Sequence, residues 1–243
     1  MQLRTLGRIL AAQALSSLGT SISSIALAFM VYELTGSVLH MGAIMAVSTF
    51  PLVVTSFVGG ALLDRFSAKN VMVLADLGRA LLIFILPFMA QEAVGLIYLV
   101  SAFMGIMSAL FNPGQIKLVG EMAEPRYLVR ANSYLSVARD GAELVGYLVG
   151  GVLVAALGYL LTFAIDAASY LVSALLLLGL PRALPYTGQA PKLKALVAEA
   201  PGVAAQIWRR PQLRTNLLLA VFATMAVMMS VPNAYGLALQ VFE

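Results

Sequence analysis

The longest uncharged runs in this sequence are each about as long as a bilayer is thick, and this limits the fold more than any other feature. No Asp, Glu, Lys or Arg occurs from Ile9 to Tyr32, from Leu34 to Leu63, from Ala93 to Ile116 or from Thr215 to Phe242. A helix needs about 20 apolar residues to cross a hydrocarbon core ~30 Å thick, so each run holds one crossing. Val71 to Ala90, apolar apart from Asp76 and Arg79, supplies another. Leu144 to Pro181 carries only Asp166 and is too long for one crossing. The Leu157-Gly158-Tyr159 step divides it into two helices joined by a tight turn. The pattern predicts an all-α membrane protein, a polytopic helical bundle with seven spans near 9–32, 41–63, 71–90, 93–111, 133–157, 159–180 and 215–239. The first span is too long for the apolar part of a signal peptide and reads as a retained helix.

The placement of charge supports this count. Every basic residue falls on one side of the predicted bundle. Arg4 and Arg8 precede span 1, and Arg65, Lys69 and Arg79 surround the step from span 2 to span 3. Lys117, Arg126, Arg130 and Arg139 flank the step from span 4 to span 5, and the rest lie between Arg182 and Arg214. The opposite loops carry only Glu33, His40 and Glu92. Short basic loops stay in the cytoplasm, so the expected location is the cell (inner) membrane with the N-terminus cytoplasmic. The chain is 61% hydrophobic and 11% charged, where soluble domains carry about 25% charged residues; a soluble enzyme is excluded. Positive charge dispersed over four segments does not make a nucleic-acid surface. With no cysteine and one histidine there is no thiol nucleophile and no His-based metal cluster. The four lysines, Lys69, Lys117, Lys192 and Lys194, all lie in loops, which excludes a retinal Schiff base in the last span. The expectation is a non-enzyme without a cofactor.

The longest connection, 181–214, holds Pro181, Pro185, Pro191, Pro201 and Pro211, and Lys192 to Arg210 reads as a broken amphipathic helix on the membrane surface. The expected organisation is a six-helix unit over 1–180, a cytoplasmic linker over 181–214 and a seventh transmembrane helix within 215–243.

The loop after span 2 reads Gly60-Ala-Leu-Leu-Asp64-Arg65-Phe-Ser-Ala-Lys69. It resembles the G-x-x-x-D-R-x-G-R-K signature of the major facilitator superfamily, with Ser67 and Ala68 in place of the second glycine and the basic residue after it. Leu34-Thr35-Gly36-Ser37, Pro51, Ala131-Asn132-Ser133, Phe163-Ala-Ile-Asp166-Ala-Ala-Ser169 and Trp208-Arg209-Arg210-Pro211 are similar to the macrolide-efflux type of drug:proton antiporter. In span 5, Gly146-Tyr147-Leu-Val-Gly150-Gly151 resembles the antiporter motif G-P-x-x-G-G, with Tyr147 in the proline position. The resemblance implies twelve spans in two six-helix halves that rock around a midplane site. It implies that this chain is the N-terminal half plus one helix, a fragment whose partner is the missing C-terminal half. The expected function is secondary active transport: proton-coupled efflux of a hydrophobic or amphiphilic small molecule by alternating access, with the lipid bilayer, that substrate and protons as partners. A truncated membrane protein acting only through helix–helix contacts is the other reading.

Candidate residues follow. The resemblance implies a gating loop of Gly60, Asp64, Arg65 and Lys69 that latches the two halves. Asp76 and Arg79 share a helix face near the inner interface and should pair with each other. Asp140 and Glu143 share a face of span 5 beside Arg139, and Asp166 lies within span 6 with Ser169 and Tyr170 as local partners. An ionisable group inside a membrane is costly, so these three carboxylates are the proton-coupling candidates. Ala138, Ala142, Gly146 and Gly150 recur every fourth residue, and with Gly151 they form a small-residue ladder suited to close helix contact, expected to face the other half. The resemblance makes spans 1 and 4 cavity-lining, which marks Gln13, Ser17, Thr20, Ser24, Ser101, Met104 and Ser108 as substrate contacts. With no basic residue expected at mid-depth, the substrate should be neutral or cationic.

Overall fold

The first helix stops where the backbone demands glycine. Gly36 sits at φ 63, in the left-handed region that glycine enters without a Cβ penalty, and its N–H bonds the Tyr32 carbonyl at 2.7 Å, closing a helix C-terminus. The computed structural model describes residues 3–90, 93–181, 208–212, 214, 215, 218 and 219, without the side chains of 3, 4, 50, 52–62, 64 and 65. Its elements are α1 (Leu3–Thr35), α2 (Val38–Arg65), α3 (Ala68–Met89), α4 (Val94–Met122), a 3-10 turn (Pro125–Tyr127) and α5 (Leu128–Leu178), with no strand among the described residues. Thr5–Thr35, Ala68–Met89, Val94–Met122 and Pro125–Leu178 are long and apolar enough to cross a membrane. The 28 residues of α2 also suffice in length at about 1.5 Å per residue.

The seven-span reading is recovered in its first six members, with one shift. α4 runs past the expected end at 111 to Met122, carrying Asn112, Pro113 and Lys117 inside the helix. The long apolar run breaks at the expected residue. Gly158 has φ 74 and ψ 175, a combination essentially restricted to glycine. It divides α5 into limbs 128–157 and 159–178. The linker and the seventh span lie outside the described residues, except for the short stretches named above.

Close contacts give the packing order. Along the first limb of α5, a Cβ on Gly146 would meet Leu18 and Ser21 and one on Gly150 would meet Ile25, so this limb runs parallel to α1. Along the second limb, Arg8 bonds the Gly179 carbonyl and Thr20 meets Tyr170, so that limb runs antiparallel to α1. α3 is antiparallel to the same limb: Lys69 reaches Leu178 and Leu180, and Asp76 reaches Ser173. α2 and α4 run parallel, through His40 with Tyr98, Gly105 against Ser48 and Lys117 with the Leu63 carbonyl. Arg8, Lys69 and Lys117 thereby gather at one end of the bundle, and Gly36, His40 and Gly158 at the other.

Two apolar clusters fill the interior. One, at the basic end, includes Ile9, Met72, Phe111, Leu118 and Leu177. The other includes Val31, Ile44, Leu86, Ile97 and Phe163. Between them, at mid-height, lie the buried polar residues of α1, α3 and α5: Ser17, Ser21, Ser23, Asp76, Arg79, Asp166 and Ser173. The outward faces are apolar, with Leu74, Leu81, Leu144 and Leu148 largely exposed, as a lipid-facing surface requires.

The glycine ladder faces α1 of the same unit rather than another half. A Cβ at Gly146 would lie 2.7 Å from the Leu18 carbonyl oxygen, a backbone atom that cannot move aside. Gly151 has only ordinary contact, with Phe29 at 3.8 Å. Gly146→Ala should therefore destabilise the bundle by about 1–3 kcal/mol, the usual cost of overpacking. Gly141→Ala, with nothing within 4 Å of its added Cβ, should be neutral. Thermal unfolding of the two purified variants in the same detergent checks this, and equal midpoints would remove the ladder's packing role.

Candidate functional site

At the basic end, cations cap the last helix. Lys69 Nζ donates to the carbonyls of Leu178 at 2.8 Å and Leu180 at 2.5 Å, and Arg8 donates to that of Gly179. These carbonyls end α5 and have no intrahelical partner, and positive charge there also opposes the helix dipole. Lys69 of the expected gating loop is thus engaged within the described bundle. Gly60, Asp64 and Arg65 lie on the last turns of α2; their side chains are outside the described residues.

Asp76 and Arg79 pair with each other as the i, i+3 spacing implies, but far deeper than the interface, at 0% and 4% exposure. Ser173 donates to the second Asp76 oxygen at 2.7 Å. The guanidinium is held between two rings, Phe111 at 4.5 Å and Tyr170 at 4.4 Å from its carbon, where the ring faces attract a cation. The expectation that no basic residue is buried at mid-depth is therefore corrected. Arg79 is there because a carboxylate three residues away and two aromatic faces replace its water.

Beside this pair, a cavity of about 160 Å³ opens between α1, α2, α3, α4 and the second limb of α5. Of the expected substrate contacts, Thr20, Ser24, Ser101, Met104 and Ser108 line it, and so does Asp166. Gln13 and Ser17 do not. They lie nearer the basic end, buried and bonded to each other at 2.9 Å. Leu27, Ile83, Leu86 and Val100 supply an apolar part of its wall.

Asp166 is fully buried. A Cβ on Gly19 would collide with its Oδ1 and with Ser169 Oγ, so glycine at that point of α1 is what lets the carboxylate reach the helix backbone. Ser169 Oγ lies 2.8 Å from the Asp166 carbonyl and 3.3 Å from Oδ1. Among the described residues Oδ2 has no hydrogen-bond partner, and neither do the buried hydroxyls of Ser23 and Ser101. Such atoms are rare in folded interiors. Tyr170, expected as a partner of Asp166, instead bonds Thr20 Oγ1 at 2.8 Å.

The other carboxylates stand elsewhere. Asp140 is exposed and paired with Arg139 at 2.9 Å, and Glu143 is half-buried on the same limb. Neither lines the cavity. Sequence reasoning missed Ser48, Gly105 and Gly19 as cavity-shaping residues. The glycines leave no polar or periodic signal, and Ser48 lies on a span that was not read as lining.

Comparison with known proteins adds the family. Residues 9–242 match the major facilitator superfamily. The chain belongs to this family of membrane transporters, which are not enzymes. It is 30% identical over 215 residues to the uncharacterized MFS-type transporter YfiS of Bacillus subtilis (strain 168), covering 87% of this chain and 51% of that protein. It is 27% identical over 232 residues to the multidrug efflux pump Tap of Mycolicibacterium fortuitum, covering 89% of this chain and 55% of Tap. The chain thus spans about half the length of the curated relatives it matches. A multi-pass, all-helical membrane protein is the shared architecture.

The buried pair gives a prediction on stability. Removing one partner of an enclosed ion pair typically costs about 3–5 kcal/mol, because the other charge stays buried. Arg79→Ala should therefore lower the unfolding midpoint strongly, and adding Asp76→Ala to it should recover part of the loss. Thermal scans of both variants and the double mutant in detergent read this; strictly additive losses would rule out the pairing as the source.

Proposed function

We propose that this chain forms the substrate-binding side of a secondary transporter that exports a hydrophobic or amphiphilic small molecule in exchange for protons. The observation that carries the reading is Asp166, a fully buried carboxylate with one unpartnered oxygen on the wall of a mid-depth cavity. A carboxylate held out of water and open to the cavity can take up and release a proton as access alternates. The cavity's hydroxyls and Met104, beside an apolar stretch of wall, suit an amphiphile, because thioethers adapt to irregular apolar shapes. The name of the relative Tap points the same way for substrate type.

Among the three carboxylates considered, the geometry favours Asp166. Asp140 lies exposed on the outside of the bundle with a cation at 2.9 Å, and Glu143 stands beside it, away from the cavity. Neutralising Asp166 (Asp166→Asn) should abolish export driven by a pH gradient, while Asp140→Asn with Glu143→Gln should retain most of it. The measurement is pH-driven substrate uptake into inverted vesicles carrying the full-length protein. Gradient-driven uptake by Asp166→Asn at the wild-type rate would overturn the assignment.

In this reading residues 1–180 are one transporter half, 181–214 a linker and 215–243 the start of the other half, with Gly60, Asp64 and Arg65 latching the two on the cytoplasmic side. The N-terminus is cytoplasmic in the cell (inner) membrane, since the basic end of the bundle should face inward. The chain has no cysteine, so single substitutions report sidedness directly. Ser67→Cys should be shielded from an impermeant maleimide in intact cells, and Leu39→Cys in another copy, at an exposed position beside His40 at the opposite end, should react. The reverse pattern would invert the topology.

A further inference from the structure

Four of the hydroxyls around the cavity, those of Thr20, Ser24, Ser48 and Tyr170, are already committed as donors, and this determines what they can receive. A serine or threonine has one proton and two acceptor lone pairs. Thr20 Oγ1 donates to the Ser16 carbonyl at 2.7 Å, Ser24 Oγ to the Thr20 carbonyl at 2.7 Å, and Ser48 Oγ to the Met45 carbonyl at 2.9 Å. Since the Thr20 proton is already engaged, the 2.8 Å contact between Thr20 and Tyr170 must be donated by Tyr170. Four hydroxyls on three helices therefore present lone pairs alone to the cavity. Asp166 Oδ2 adds another acceptor without a donor. Ser23 and Ser101, buried and unpartnered, have hydroxyls free to turn either way.

Among the described residues no lining side chain carries a nitrogen. Arg79 is close but does not line the cavity; it pairs with Asp76 and lies between Phe111 and Tyr170, so its charge is matched by that carboxylate, and its Nε is left without an acceptor among the described residues. The wall thus offers more acceptors than donors, and its donors are neutral serine hydroxyls. Its about 160 Å³ is below the ~300–1,000 Å³ that encloses a drug-sized ligand, so only a small polar group can enter it. The apolar wall residues Leu27, Ile83, Leu86 and Val100 would pack against the carbon chain attached to that group.

The geometry points to a monovalent-cation subsite at this pole, built from Asp166, Tyr170, Thr20, Ser24, Ser48 and the turnable hydroxyl of Ser101. It takes a group that offers only positive charge or N–H donors: the primary ammonium head of a substrate, or a sodium ion, whose preferred ligands are hard oxygens. It disfavours carboxylate and phosphate. This rests on the reading of the cavity as the transport site, but binding at it needs neither a gradient nor turnover.

The test uses the full-length protein, purified in a non-ionic detergent. Hexylammonium and hexanoate serve as size-matched cation and anion in titration calorimetry, and equilibrium binding of radioactive sodium serves as the inorganic arm. Binding of hexylammonium or of sodium is expected, weakened at least tenfold by Asp166→Asn and several-fold by Tyr170→Phe, with hexanoate silent. Sodium binding that hexylammonium displaces identifies an ion site; hexylammonium binding without sodium identifies a substrate-head site; both support the proposal. Tyr170→Phe keeps the ring over Arg79, and Ser48→Ala lies on a different helix, so at least one variant should keep the wild-type unfolding midpoint. Failure of both cations to bind, equal binding of hexanoate, or unchanged cation affinity in Asp166→Asn would overturn it. Loss of proton coupling with cation binding intact would count against the transport reading alone.

Discussion

Hydrocarbon offers no hydrogen bonds, and this constraint organises the whole bundle. Each polar group brought below the surface has to find its partner inside the protein. Serine and threonine hydroxyls along α1 turn back to carbonyls four residues earlier. The carbonyls at the end of α5 receive Lys69 and Arg8 instead of water. Arg79, the most demanding group, is met by Asp76 and two ring faces. The polar layer between the two apolar clusters is thus nearly self-satisfied, and it ties α1 and α3 to the second limb of α5.

Against that background the unsatisfied atoms stand out. Asp166 Oδ2, Ser23 Oγ and Ser101 Oγ are all buried, and all three residues line one cavity. Leaving a buried acceptor without a donor costs about 1–3 kcal/mol, more for a charged group. Among the described residues Gln13, Arg79 and Gln115 also keep an unpaired buried atom, but none of them lines the cavity. The close approach at Gly19, which admits the Asp166 carboxylate against α1, belongs to the same design. A side chain there would close the gap and push the acid away.

The spans and their breaks were legible because they depend on local chemistry. Gly158 ends a helix through a conformation that only glycine adopts readily, and it falls inside an apolar run too long for one crossing. The Asp76–Arg79 pairing was legible from a spacing of three residues, and Thr20, Ser24, Ser101, Met104 and Ser108 from helical periodicity joined to family resemblance. The depth of Arg79 was not legible. A sequence records that a charge is present, but not that Phe111, from another helix, covers it. Nor was the partner of Gly146 and Gly150: a ladder of small residues says that something approaches closely, without naming α1.

What the residues decided unaided is the class of solvent this chain lives in. Runs of twenty or more uncharged residues and one-sided basic charge admit only a helical membrane bundle, since transfer of charge and bare backbone into hydrocarbon is too costly for any other arrangement. Tertiary structure decided which of three candidate carboxylates faces a cavity and which lone pairs around it stay open. Those facts depend on distances between helices far apart in sequence, such as Tyr170 against Thr20 and Ser173 against Asp76, and no local pattern encodes them.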